Sequence, residues 1–406
     1  MAERFTIDHM GQRGDGVTRD GLFIAYTLPS EVVRAEAAEQ PDRRTLVDVE
    51  TPSADRIAPI CRHFGVCGGC ATQHWAGEPY RAWKHDLVAS ALSHAGIDTG
   101  VDPVIDAHGT GRRRVVFHAR NSGDGLKVGF AAPRAHWIVP IEECPVLAPE
   151  LGGAIELARR LAGALEPLSK PLDLHFTASD TGLDVDIRGS GPLAPARANA
   201  LAKLAAELRL ARLTRHGELV GQRVTPVLRM GKAHVPLPSG SFLQATREGE
   251  ETLARLVLEH AGNAKRVADL FCGVGPFALR LAERASVTAL DSDAGAIESL
   301  AKASKTSGLK PITAAKRDLF RTPLTVQELK GFDAVVFDPP RQGAEAQVKV
   351  LAATKIKRVI AISCSAVTFA RDARILIDGG YRLKRVTPVD QFRYSAHVEL
   401  VALFER

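Results

Sequence analysis

No apolar run in this sequence reaches the roughly 18 to 20 residues that a membrane-spanning helix needs. A helical integral membrane protein is therefore excluded, and no membrane partner is expected. Met1–Asp8 has neither the basic start nor the apolar centre of a secretory signal, so a cytoplasmic protein is expected. Cysteine is sparse, with six in 406 residues. Disulfides are not expected in a cytoplasmic chain of this size, so each thiol asks for another explanation. A one-sided charge is also missing, since the net charge is only +6. Its distribution says more. Residues 1–50 carry 6 Lys/Arg against 10 Asp/Glu, residues 51–235 carry 22 against 18, and residues 236–406 carry 25 against 19. A basic excess in the middle and C-terminal parts suits a polyanionic partner without demanding one.

A chain of this length predicts two or three domains, each with its own core. Three are read here, over residues 1–52, 53–235 and 236–406. In the first, Gly11, Gly14, Gly16 and Gly21 punctuate short alternating runs such as Leu22–Tyr26. That pattern predicts a small antiparallel barrel. Such barrels often bind nucleic acid, although this one is net acidic, and a plain accessory barrel fits as well.

The second segment opens with Cys61, Cys67 and Cys70 in C-x5-C-x2-C spacing, with Gly68 and Gly69 between the last two. Three thiolates in a glycine-rich loop can hold soft metal, and close backbone N–H groups suit an iron–sulfur cluster. Cys144 is the natural fourth ligand. Zinc held with His63 or His74, or no metal at all, stays open on the spacing. The spacing differs from the C-x3-C-x2-C of radical-type clusters. Residues 79–95 have helical periodicity. Arg112, Arg114, Val116, His118 and Arg120 fall on one face of a predicted strand, which could line a phosphate backbone or simply face solvent. Predicted helices at 151–165 and 196–208 alternate with strands at 172–177 and 183–187, giving an α+β module.

From Arg247 onward, strands and helices alternate through to residue 377 and close with two strands, at 381–388 and 397–404. The pattern predicts a doubly wound, Rossmann-like sheet ending in a hairpin-like pair. In Val267–Phe277, Gly273 and Gly275 form a glycine turn between strand and helix, but the strict G-x-G-x-x-G fingerprint is absent because Ala278 holds the third position. Acids follow four strands: Asp269 within the first, then Asp291, Asp318 and Asp338. Asp291 can take a ribose diol and Asp318 an adenine amine. This layout favours S-adenosylmethionine over NAD, and Asp338-Pro339-Pro340 adds a rigid edge for a planar acceptor. Each acid taken singly also reads as a helix N-cap. The apolar strand Val359–Ile362 runs into Ser363-Cys364. In a parallel sheet, strand carboxyl ends face the ligand crevice. Cys364 therefore reads as a nucleophile for an RNA base, against the blander reading of a small buried hydrophobe.

Taken together, these motifs resemble the RNA 5-methyluridine (uracil-C5) methyltransferase family, nearly end to end. The barrel resembles a TRAM domain, Ser241–Gln244 a Phe-x-Gln motif, and Asp269–Gly275 the family's cofactor loop. Asp338–Arg341, Ser363-Cys364 and His397–Glu399 resemble its catalytic motifs. The resemblance implies a Rossmann-like methyltransferase domain, a TRAM/OB-like barrel and a central α+β domain with a 4Fe-4S cluster on Cys61, Cys67, Cys70 and Cys144. It implies an S-adenosylmethionine pocket from Gln244, Phe271, Gly273, Asp291, Asp318 and Asp338, with Cys364 as nucleophile and Glu399 as base. Phe242, Arg112 and Arg114 are candidate RNA contacts. The cluster and barrel point to 23S rRNA over tRNA, and a monomer is expected. Departures from the family pattern lie at Asp291 for Glu, at Ser365-Ala366 for Asn-Pro, and at Phe392–Ser395 for Phe-Pro-x-Thr. Readings of other kinds stay open: an exocyclic-amine methyltransferase, disfavoured by Arg341 after the two prolines, and a catalytically silent RNA-binding protein.

Overall fold

The computed structural model describes residues 1–135, 137–165 and 171–406. Strands β1 (Glu3–Met10), β2 (Asp15–Thr18), β3 (Phe23–Ala25), β4 (Val32–Ala37) and β5 (Arg43–Thr51) close into a barrel in the order β1-β2-β3-β5-β4. Inward-facing Ile7, Ile24, Val33 and Ala35 fill it, and alternation places polar residues outside.

Two elements of the next segment do not stay with the α+β module. Helix α1 (Gly77–His94) packs on the methyltransferase side, and the short strand β6 (Ile105–Asp106) pairs with the last sheet. The module proper is built from β7 (Arg114–Ser122), β8 (Gly125–Ala131), β9 (Ile138–Pro140), α2 (Ala154–Leu165), β10 (Leu172–Ser179), β11 (Gly182–Arg188), α3 (Pro195–Glu207), β12 (Arg212–Arg215) and β13 (Glu218–Gln222). Its seven strands run β13-β12-β11-β10-β7-β8-β9. The apolar stripes of α2 and α3 cover one face. A hairpin of β14 (Val227–Met230) and β15 (Ala233–Pro236) then buries Leu228, Met230 and Val235 in the core of the last sheet. That core therefore begins before residue 236 and takes in Ile105 and Ala107, while Val88, Leu92 and Ile97 join the core on the sheet's other face.

The last sheet takes α4 (Arg247–Ala261), β16 (Arg266–Leu270), α5 (Pro276–Leu281), β17 (Ser286–Asp291), α6 (Ala294–Ala303), β18 (Ile312–Lys316), β19 (Ala334–Phe337), α7 (Glu345–Ala352), β20 (Arg358–Ser363), α8 (Ala366–Asp378), β21 (Arg382–Asp390) and β22 (Glu399–Glu405). Its eight strands run β18-β17-β16-β19-β20-β22-β21-β6. β16 to β20 are mutually parallel, and β22 is antiparallel to both of its neighbours. Successive residues of β20 serve opposite cores. Ile360 and Ile362 join the layer formed by α4, α5 and α6, whereas Val359 and Ala361 join the layer of α1, α7 and α8. A strand buried on both faces explains the unbroken apolar run in the sequence. Among the described residues no helix is long and apolar enough to cross a membrane.

Candidate active site

The sheet register assembles the site. β16, β19 and β20 are parallel, so Phe271, Asp338 and Cys364 follow their carboxyl ends at one rim. β22 runs the other way, and Ser363 pairs with Leu400. Glu399 therefore opens β22 at the same rim, beside Cys364. On the other side of Glu399 lies Val389 of β21, which delivers Asp390 and Gln391 to this rim too. Residues far apart in sequence meet here because one antiparallel strand has been inserted into a parallel sheet.

Glu399 is almost fully buried. The Gln391 amide holds it, while its Oε2 has no hydrogen-bond partner among the described residues. Burial, reinforced by the Asp338 carboxylate, pushes Glu399 well above the usual carboxylate range. Burial likewise raises Asp338, against a hydrogen bond of 3.0 Å that the Gln244 amide donates to it. Gln391 in turn donates to Gln244 Oε1 at 2.6 Å and accepts from the Ala245 N–H at 2.8 Å. Gln391 thus orients both the acid and the Phe-x-Gln segment. It escaped sequence reasoning because a glutamine after a strand carries no chemical signature of its own.

Cys364 is half-buried. Its thiol is pushed up to about 11 by burial and by the Glu399 and Asp338 carboxylates, with the Arg341 guanidinium pulling the other way. Arg341 lies 3.0 Å from His397 Nε2, and burial keeps His397 neutral by lowering it to about 4, so its ring can accept. The thiol opens on a cavity of about 640 Å³ whose walls include Arg13 from the barrel, His94 from α1, and Arg341, Val367 and Arg371. Ser365, at a departure from the family pattern, caps α8 by accepting from the Thr368 N–H.

At the other end of the rim, Phe271 has φ 61°, Gly273 φ 51° and Gly275 φ 90°. A Cβ on Gly275 would lie 2.4 Å from Leu300, whereas a Cβ on Gly273 would meet nothing within 4 Å. Gly275 is thus required by packing, and Gly273 borders open space that a ligand can fill. Asp291 accepts from the Gly273 and Asp293 N–H groups, each at 2.8 Å. Asp318 accepts from the Phe320 and Arg321 N–H groups. Both acids therefore stabilise turns, as N-cap chemistry allows, and each keeps further lone pairs for a diol or an amine. Phe320 was not anticipated; its ring stands 5.2 Å from that of Phe271 and forms an aromatic edge beside the glycine turn. Open space over Gly273, two flanking acids and two aromatic rings fit a nucleoside-bearing cofactor.

Cys61, Cys67, Cys70 and Cys144 line a single cavity of about 360 Å³. Burial raises the thiols of Cys67 and Cys70, and pushes Cys144 up to about 12. Among the described residues no three His, Cys, Asp or Glu side chains converge to hold a single metal ion.

Arg112 and Arg114 do not form the exposed phosphate-lining face that alternation suggested. Arg114 is half-buried, donates to the Leu243 carbonyl at 3.0 Å and is lowered by burial to about 10. Arg112 lines the cysteine cavity, its guanidinium over the Phe392 ring. Both are drawn inward because β7 abuts the segment carrying Gln244. Their neighbour Arg113 is buried outright, between the Gln244 carbonyl at 3.0 Å and Glu250 at 2.6 Å. Phe242 does stand in the open, 69% exposed, over the Arg114 guanidinium.

A doubly wound sheet with a glycine turn after its first strand, acids at successive strand ends and an antiparallel strand inserted beside the last parallel one defines a methyltransferase that uses S-adenosylmethionine. The Methyltransferase small domain family matches residues 247–360. An uncharacterized RNA methyltransferase of Brucella suis is 47% identical over 99% of this chain and 98% of its own. The 23S rRNA (uracil(1939)-C(5))-methyltransferase of Aeromonas hydrophila is 30% identical over 99% of this chain and 96% of its own. Among solved structures, the Pyrococcus abyssi tRNA (uracil-54, C5)-methyltransferase, in complex with S-adenosyl-L-homocysteine, covers 99% of both chains with a TM-score of 0.76 and 23% identity. The chain belongs to the RNA methyltransferase family that includes the Aeromonas enzyme.

Proposed function

We propose that this protein methylates C5 of a uridine in RNA, with 23S rRNA as the substrate, through a covalent adduct on Cys364. The observation that carries this reading is the placement of Cys364 and Glu399 on adjacent antiparallel strands, with Asp338 and Gln244 beside them. C5 of uracil is a poor nucleophile. Addition of the Cys364 thiolate to C6 turns C5 into an enolate carbon. S-Adenosylmethionine, when bound, would supply an electrophilic methyl group to that carbon, its S–CH3 bond breaking to leave S-adenosylhomocysteine. Glu399, through its unpartnered oxygen, then removes the C5 proton as general base. The electron pair restores the C5=C6 bond and expels the Cys364 sulfur. Arg341 favours the thiolate that starts the sequence. A stacked uridine must first be flipped into the site, at a cost of a few kcal/mol, and the exposed ring of Phe242 is placed to stack on a base. Gln244, Phe271, Gly273, Asp291, Asp318 and Asp338 form the cofactor pocket in this reading. The substrate assignment follows the name of the full-length relative from Aeromonas.

Incubation of Cys364→Ala with labelled S-adenosylmethionine and 23S rRNA should give no 5-methyluridine, and wild type should form a covalent adduct with 5-fluorouridine RNA. Retained 5-methyluridine formation by Cys364→Ala would refute the mechanism. Label found in tRNA but not in 23S rRNA would refute the substrate.

The four cysteines are proposed to hold a 4Fe-4S cluster. What supports this reading is that all four half-buried cysteines line one cavity. When bound, the cluster would tie residues 61–70 to Cys144. Protein purified without oxygen should carry about four iron and four sulfide per chain; stoichiometric zinc without iron would overturn the assignment.

A further inference from the structure

The loop from Gln391 to Val398, which joins the strand that delivers Gln391 to the strand that begins with Glu399, is held from outside its own sheet. Lys84 on α1 is completely buried. Its Nζ donates to Asp390 Oδ1 at 3.0 Å and to the backbone carbonyl of His397. Asp390 ends β21, and His397 lies two residues before Glu399, so one ammonium group ties both stems of the loop. Tyr80, one helical turn earlier, donates its hydroxyl to Asp390 Oδ2 at 2.7 Å and accepts from the Tyr394 N–H at 3.1 Å. The Tyr394 carbonyl accepts from the Ala71 and Thr72 N–H groups at 2.7 and 3.3 Å. Tyr394 has φ 68°, a conformation that a tyrosine keeps only when its surroundings impose it. Every one of these holds comes from residues 71–84.

A fully buried lysine is disfavoured unless its charge is paired and its protons are used. To anchor α1 on the sheet, an apolar side chain would serve as well. What the ammonium adds is a fixed separation between Asp390, next to Gln391, and His397, next to the approach to Glu399. We propose that Lys84 and Tyr80 are positioning residues for the proton-removal step: they fix the 391–398 loop so that the Glu399 carboxylate stays against C5 after methyl transfer. This inference rests on the uracil-C5 reading above. In that step Glu399 takes the C5 proton, the C–H electron pair forms the C5=C6 bond, and the C6–S bond breaks with its pair on the Cys364 sulfur. Thiolate addition and methyl transfer precede it and do not use Glu399 as base.

The test uses full-length Tyr80→Phe, Lys84→Met and the double variant Lys84→Met/Asp390→Asn, with S-adenosylmethionine and substrate RNA. Covalent protein–RNA adduct and free methylated RNA are quantified after rapid quenching, and thermal stability is recorded for each variant. The expected result is adduct formation near the wild-type rate, with release slowed by about tenfold to a hundredfold, so that methylated adduct accumulates. The double variant removes the unpaired buried carboxylate and recovers stability, but still lacks the donor to His397, so its release defect should persist. Release that recovers together with stability in the double variant would reduce Lys84 to a packing role and overturn the inference. Wild-type release rates in both Tyr80→Phe and the double variant would overturn it too. Tyr80→Phe removes a single hydroxyl and keeps the question answerable should Lys84→Met not fold. Absence of any wild-type adduct with 5-fluorouridine RNA would instead bring down the uracil-C5 reading, and this inference with it; normal wild-type adduct with unaltered variants overturns this inference alone.

Discussion

At the scale of the residue, the site is tuned against the proposed nucleophile. Burial and two neighbouring carboxylates push the Cys364 thiol up to about 11, and the Arg341 guanidinium and a backbone hydrogen bond oppose them. Burial also raises Glu399, the proposed base. Both groups must lose a proton to act, so both sign changes run the same way. The kcat/KM for RNA is expected to rise with pH between about 6 and 9, without a descending limb from these two groups. Arg341→Ala removes the charge that favours the thiolate. Adduct formation should then slow by about tenfold and its pH profile move upward, measured with 5-fluorouridine RNA. A profile that falls with pH over that range would contradict the assignment of Cys364. The cofactor end gives a second residue-level contrast. Gly273→Ala should raise KM for S-adenosylmethionine, because its added Cβ enters open space that a ligand can fill, with a stability loss of about 1 kcal/mol from its φ of 51°. Gly275→Ala should lower thermal stability, because its Cβ meets Leu300. Cys364 and Asp338 stood out in the sequence because they follow apolar runs, whereas Glu399 stood out only through the resemblance of His397–Glu399 to a family motif. Gln391, Phe320 and Lys84 did not, since a glutamine, a phenylalanine and a lysine in a helical pattern announce nothing until the fold shows what surrounds them.

Elements were legible by type and much less by partner. The periodicity around Trp83, Leu87 and Leu92 marks a helix, but an apolar stripe names a buried face without naming what buries it. The structure sets α1 against α8 and β21 rather than on the seven-stranded sheet. The strands β12 to β15 are only four or five residues long, too short for alternation to declare them. The junction between sheets depends on a buried ion triad that spacing could not show. Glu250 on α4 accepts from Arg113 at 2.6 Å and from Arg280 at 3.1 Å. Glu250→Ala leaves two buried guanidinium groups without that carboxylate. It should cost about 3–5 kcal/mol of stability in urea unfolding, and a loss below about 1 kcal/mol would show that solvent reaches the triad.

Over the whole molecule, the barrel is fastened to the rest through the Trp75, Tyr80 and Trp83 cluster, which takes Leu28 from the barrel, and Trp83 Nε1 donates to the Gly11 carbonyl at 3.3 Å. Asp15 adds an ion pair with Arg134 at 2.7 Å. A chain starting at residue 53 should therefore aggregate or melt earlier than the full chain, because those aromatic faces lose their cover; unchanged thermal stability would show that the barrel is a detachable tether. The net acidity of the barrel hid its place at the active site, where Arg13 stands on the wall of the cavity beside Cys364.

The pairing of Val389 with Ile105 has a consequence for how the protein is made. A ribosome releases β6 and the apolar face of α1 early, yet their partners β21 and β22 come last, roughly 280 residues and 15 to 60 s later at about 5–20 residues per second. During that interval the seven-stranded module can close by itself, while the face of α1 that carries Val88 and Leu92 waits uncovered. The nascent chain should depend on chaperones through most of its synthesis. Its rim becomes complete only when β22 leaves the exit tunnel, so a product truncated before residue 399 lacks the proposed base.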